Sequence, residues 1–203
     1  MYQLTNPQET LHFVAFLQEA LPFVDAWTPT DINSGGCGVF AGLLYNKLKE
    51  MGQEPEIIGL FYDDTHKFTE GARKAMKNFL KDGSDVEKAG DDHIVIKLQD
   101  LYIDSRGIIN TVIEHCDNFF PMNPEQLNLL VEKGEWNPVF DRGCTGFIRE
   151  RLDYVFGLLE VYQPGKTFRL PKEDEVTYTS HTMKQKENQG ICFNNLKELF
   201  GKL

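Results

Sequence analysis

The chain has 203 residues, 41% hydrophobic and 12% aromatic, which is enough apolar matter for one compact core. A formal net charge of −10 argues against nucleic acid as a partner, because phosphate backbones demand clustered Lys and Arg. The lysines of "GARKAMKNFLKDGSDVEKAGDD" are scattered among acids and read as a solvated face.

The N-terminus shows no basic segment followed by an apolar run, and no window approaches about eighteen uncharged apolar residues. Neither a signal peptide nor a membrane partner is expected. Cys37, Cys116, Cys144 and Cys192 lie far apart without a CxxC pair, as free thiols of a cytoplasmic protein would. The spacing of His115, Cys116, Cys144, His181 and Cys192 gives no support to a zinc site, so no metal and no cofactor is expected.

In chain order, "TNPQETLHFVAFLQEALPF" predicts a first helix, with Asn6 as cap, Pro7 at the first helical position and Glu9 at the box position. It should end near Pro22. The loop "TPTDINSGGC" leads to a second helix from about Cys37 to Met51. Phe40, Leu43, Leu44, Leu48 and Met51 recur there at helical spacing, and Gly52 is the stop. "EPEIIGLFYDD" reads as a strand and "GARKAMKNFL" as a helix. "HIVIKLQDLYIDSRGI" reads as two strands around a turn at Gln99-Asp100. Past residue 107 the pattern turns helical. "MNPEQLNLLVEKG" repeats the Asn-Pro start, with Asn123 as cap and Gly134 as stop, "TGFIRERLDYVFGLL" is amphipathic, and "NNLKELFGKL" is a short terminal helix. The expectation is an α+β fold: a small antiparallel sheet with the second helix packed on it, and a helical C-terminal half. Residues 1–110 would form the core and 111–203 a mainly helical extension packed on it.

The chemistry gathers at "SGGCGVF". A thiolate is the reactive form of cysteine, and a helix N-terminus or a neighbouring imidazolium favours it. Cys37 stands at a helix start, where Gly35 and Gly36 permit a sharp turn and a close approach of backbone to substrate. The Cys37 N–H is positioned to assist a developing oxyanion. A nucleophile needs a base and the base an orienter. With the turn at Gln99-Asp100, Leu98 opposes Leu101, Lys97 opposes Tyr102, Val95 opposes Asp104 and His93 opposes Arg106. Alternation then puts His93, Val95, Asp104 and Arg106 on one face. His93 and Asp104 become diagonal neighbours whose side chains can meet.

A Cys at a helix start, a His opening a strand and an Asp on the next strand resemble the transglutaminase-like and papain-like cysteine enzymes. The resemblance spans about residues 30–110, in "SGGCGVF", "DDHIVIKL" and "LYIDSRG". It implies Cys37 as nucleophile, His93 as general base and acid, and Asp104 as orienter. It also implies acyl transfer to water (peptidase, amidase or deamidase) or to an amine. The substrate would be a protein, a peptide or an amide-bearing small molecule. Papain-like proteases commonly carry a Gln six residues before the nucleophile. Asp31 stands there instead, and Asn33 is the nearest side-chain oxyanion donor.

Each residue alone has a plainer account. Cys37 is a small buried residue in a tight turn, His93 a strand-edge histidine, and Asp104 a turn residue. Trp27 and Tyr102 are candidates for a substrate groove, or for packing. Cys144 in "RGCTG" imitates the setting of Cys37 but has no strand-borne His-Asp pair after it. The alternative function is a non-enzymatic inhibitor or adaptor that retains the fold.

Overall fold

The structure is a computed structural model that describes residues 6–26, 28, 32–33, 35–62, 70–86, 93–110, 116–133, 142–166 and 168. Among them, five α-helices and one five-stranded antiparallel sheet form an α+β fold. The helices are α1 (Pro7–Ala26), α2 (Cys37–Glu50), α3 (Glu70–Asp82), α4 (Pro124–Lys133) and α5 (Arg142–Gly157), the last followed by a 3-10 turn at Leu159–Val161. The strands are β1 (Glu56–Tyr62), β2 (His93–Leu98), β3 (Leu101–Asp104), β4 (Gly107–Ile108) and β5 (Cys116–Met122), in the order β4-β3-β2-β1-β5.

Asn6 caps α1, its Oδ1 accepting from the Gln8 N–H at 3.0 Å. The helix does not stop at Pro22 as expected but runs to Ala26. A proline inside a helix costs about 3 kcal/mol. Leu21 and Val24, which flank it, are wholly buried, and each such side chain contributes roughly 1.5–3 kcal/mol. Burial of the last turn therefore outweighs the break. The Thr28 hydroxyl then donates to the Val24 carbonyl at 2.8 Å.

The second helix agrees with its expected span to one residue. It closes on a Schellman turn: Gln53 N–H reaches the Leu48 carbonyl at 2.9 Å, Gly52 N–H that of Lys49 at 2.9 Å, and Gly52 has φ 78°. Phe40, Leu44 and Leu48 face the core, where they meet Phe16 and Leu17 of α1, Ile96 of β2 and Leu152 of α5. The hairpin register is the expected one, with Leu98 opposite Leu101 and Lys97 opposite Tyr102. Alternation divides the sheet: Ile94, Ile96, Leu98 and Ile103 join the main core. Val95, Ile58, Leu60 and Ile109 form a small second cluster with Tyr102.

Two more expectations need correction. The strand β3 ends at Asp104, and the chain turns back through Ser105-Arg106 to pair Asp104 with Gly107. Arg106 is therefore a turn residue and not a strand residue opposite His93. The region after residue 107 is not purely helical either: β4 and β5 lie there, and β5 pairs with β1 along Ile57–Tyr62. The Phe119-Phe120 pair fits a strand, and Pro121 is tolerated because β5 is an edge. The sheet thus takes strands from both sides of residue 110. Gly134 and the terminal "NNLKELFGKL" lie outside the described residues.

Candidate active site

Cys37 is the first residue of α2, and the backbone around it explains the glycines. Gly35 has φ 109°, a conformation that L side chains rarely adopt. Gly36 is the N-cap, offers no side-chain cap, and holds its N–H on the Ile32 carbonyl at 2.8 Å. Gly38 answers a different need. A Cβ there would lie 3.1 Å from Val131 Cγ2 and 3.2 Å from Ile94 Cδ1. A glycine lets the first turn of α2 pack on the start of β2 and on α4 without displacing these side chains. That approach brings the thiol to the imidazole.

His93 opens β2 and is only 6% exposed. Its Nε2 meets Asp104 Oδ2 at 2.9 Å. The Cys37 thiol acts on the same ring and favours its charged form, and with Nε2 engaged by the carboxylate, Nδ1 is the nitrogen left to meet it. Burial works against an imidazolium here. The hydrogen bonds to Asp104 and to Cys37, with the attraction of both groups, outweigh it and push His93 up from 6.5 to about 9.

Asp104 is 1% exposed and every oxygen is used. Oδ1 accepts the Arg106 backbone N–H at 2.7 Å, which closes the turn. Oδ2 takes His93, Arg106 Nε at 2.9 Å and an Arg106 Nη. Burial alone would raise its pKa. The bonds from His93 and then Arg106 prevail and hold the carboxyl below its usual range. The two readings of Asp104, turn residue and His partner, are therefore both true, one for each oxygen.

Asn33 Nδ2 donates to Ser105 Oγ at 2.7 Å, so the residue expected as an oxyanion donor directs an amide hydrogen to a neighbour of Asp104. Tyr102 shares the second cluster, its ring 5.8 Å from that of Phe119. Gly36 adjoins Cys37 directly, and Gly35 precedes it by two residues. Trp27 and Asp31 lie outside the described residues, as do His115, His181, Cys192 and the side chains of Cys116 and Cys144. Sequence reasoning missed two members: the Arg106 clamp and the buried Ser105. Both sit in "DSRG", whose spacing as an Asp-headed turn was the available signal.

Among the described residues no group of His, Cys, Asp and Glu could hold a metal ion, and no helix is long and apolar enough to cross a membrane. Comparison of the chain with protein-family models, with curated proteins and with solved structures gives no match in any of the three.

Proposed function

We propose that the chain is a cysteine-dependent acyl-transfer enzyme, a peptidase, amidase or deamidase of the papain-like and transglutaminase-like kind. One observation carries the reading: a thiol at an uncapped helix start shares a buried imidazole with a clamped carboxylate. Cys37 is the nucleophile. Its sulfur attacks the substrate carbonyl, and the oxyanion is stabilised by N–H groups of the first turn of α2, which no side chain caps. The His93 imidazolium gives its proton to the leaving amine, and a thioester forms on Cys37. Water, or an acceptor amine, then gives a proton back to His93 as it attacks the thioester. The thiolate leaves and the product carries the new acyl bond. Asp104 keeps the ring oriented and stabilises its charged form without taking the proton. The free thiol of Cys37 suits the reducing environment of the cytoplasm.

The test uses p-nitrophenyl acetate as an activated acyl donor. The expected result is a burst of nitrophenol with an acetyl group on the Cys37 peptide, absent in Cys37→Ala. Wild-type protein showing neither burst nor acyl peptide between about pH 6 and 8 would favour the binding-module reading.

A further inference from the structure

Two arms of the chain must meet for the site to exist. One is the loop that ends at Cys37, and the other is the hairpin turn that follows Asp104. Helix α1 backs both. Asp25, near its end, accepts the Ile32 N–H at 2.9 Å, and the Ile32 carbonyl in turn holds Gly36. Gln18, one turn before Pro22, accepts the Ile108 N–H at 3.2 Å. Gly107, with φ 99°, sits so close to Gln18 that a Cβ would lie 3.0 Å from its Nε2 and 3.2 Å from its Cα. Each arm is thus moored to α1, but neither mooring fixes one arm against the other.

Among the described residues, a side-chain bond joins the two arms directly. Asn33, four residues before the nucleophile, donates to the hydroxyl of Ser105, the residue after the orienting carboxylate. Ser105 is wholly buried between Asp104 and Arg106, so its oxygen is a fixed point. We infer that Asn33 and Ser105 are positioning residues, whose mutual hydrogen bond sets the approach of the Cys37 thiol to the His93 ring. The inference rests on the cysteine-enzyme reading. Without the bond, each arm keeps its anchor on α1 and gains freedom to shift against the other. Small misplacements matter greatly at a reacting pair: about 1 Å can lower a rate a hundredfold.

The experiment follows carbamidomethylation of Cys37 by iodoacetamide, mapped by mass spectrometry from about pH 5 to 9, together with thermal melting. Alkylation forms no oxyanion, so it reads the thiol–imidazole pair alone. Wild type, His93→Ala, Asn33→Ala, Ser105→Ala and the Asn33→Ala/Ser105→Ala double variant are compared. In wild type, fast reaction should persist at pH 6 and depend on His93. Each single variant should slow it about tenfold and move the profile to higher pH. The double variant should be no slower than the slower single, because both remove one bond. Ser105→Ala deletes only one oxygen and carries the test by itself if Asn33→Ala does not fold. Unchanged pH profiles in both singles, with lower melting points only, overturn the inference and leave the enzyme reading intact. Loss in Asn33→Ala alone overturns it in favour of Asn33 acting independently of Ser105. A wild-type Cys37 that reacts as an ordinary thiol, indifferent to His93→Ala, removes the enzyme reading and the inference with it.

Discussion

Helices α4 and α2 begin in opposite ways. At α4, Asn123 and Gln126 cap each other reciprocally: Asn123 Oδ1 accepts the Gln126 N–H and Gln126 Oε1 accepts that of Asn123, both at 2.9 Å. At α2 the N-cap is Gly36, which has no side chain to make a cap hydrogen bond. A side-chain cap is worth about 1 kcal/mol. The difference separates a helix end closed by its own side chains from one that, on the proposed function, offers its donors to a reacting group. The core makes up for what α2 forgoes, since Phe40, Leu44 and Leu48 are buried to 2% or less.

The sharpest break of this comparison is at Cys37 and Asp104. Cys37→Ala should abolish acyl transfer and shift the melting temperature by no more than about 2 °C, because the half-buried thiol contributes little packing. Asp104→Asn should move two observables together. Iodoacetamide labelling of Cys37 at pH 6 should fall about tenfold or more, and the melting temperature should drop because an amide nitrogen in place of Oδ2 would face the buried donors of His93 and Arg106. A lowered melting point with an unaltered labelling rate would leave Asp104 a turn residue alone.

Next in size is Gly38→Ala. Alanine is the better helix former by about 1 kcal/mol, yet its methyl would press on Val131 and Ile94. Cys37 labelling should slow severalfold while the fold persists. An unchanged rate would show that the close approach of α2 to β2 does not set the thiol's position.

A pH series sharpens the electrostatic side. His93 is raised to about 9 in the folded chain, so its contribution to stability is complete below its ordinary 6.5. It shrinks as pH rises and is gone above about 9. Asp104 is lowered, so its contribution is present above 3.8 and lost as pH falls through its depressed value. The melting-point gap between wild type and His93→Gln should therefore be largest near pH 5–6 and narrow toward pH 9. A gap that stays constant across that range would contradict the shift.

The smallest effect belongs to the capped helix. Asn123→Ala should cost about 1 kcal/mol, read from denaturant unfolding, and leave Cys37 labelling untouched. A change in labelling would mean that α4 positions α2 through more than the contacts of Leu127 and Val131 with Gly38.

The dyad was legible because strands have a period of two. Once the turn is put at Gln99-Asp100, parity alone sends His93 and Asp104 to one face, and their side chains meet at 2.9 Å. The helix starts at Pro7, Cys37 and Pro124 were legible because caps and glycines act locally. What escaped depends on distant partners. Nothing near Pro22 announces that Leu21 and Val24 will be buried, and nothing in "CDNFFPM" announces that β1 lies beside it. Arg106 was placed opposite His93 by extending β3 two residues too far. The Asp-headed turn at Ser105-Arg106 ended the strand first and swung the guanidinium onto Asp104. The link from Asn33 to Ser105 joins residues 72 apart and has no local signature at all.

The two outer strands of the sheet have a consequence for how copies of this chain meet. An exposed strand edge is a template on which a neighbour can zip, and it is the usual seed of aggregation. Here one edge, β4, is two residues long, too short to template a ladder. The other, β5, carries Pro121, which has no N–H to offer and interrupts the row of donors. Both rims of the sheet are thus poor templates, and crowded copies of the folded chain gain little from joining sheet to sheet.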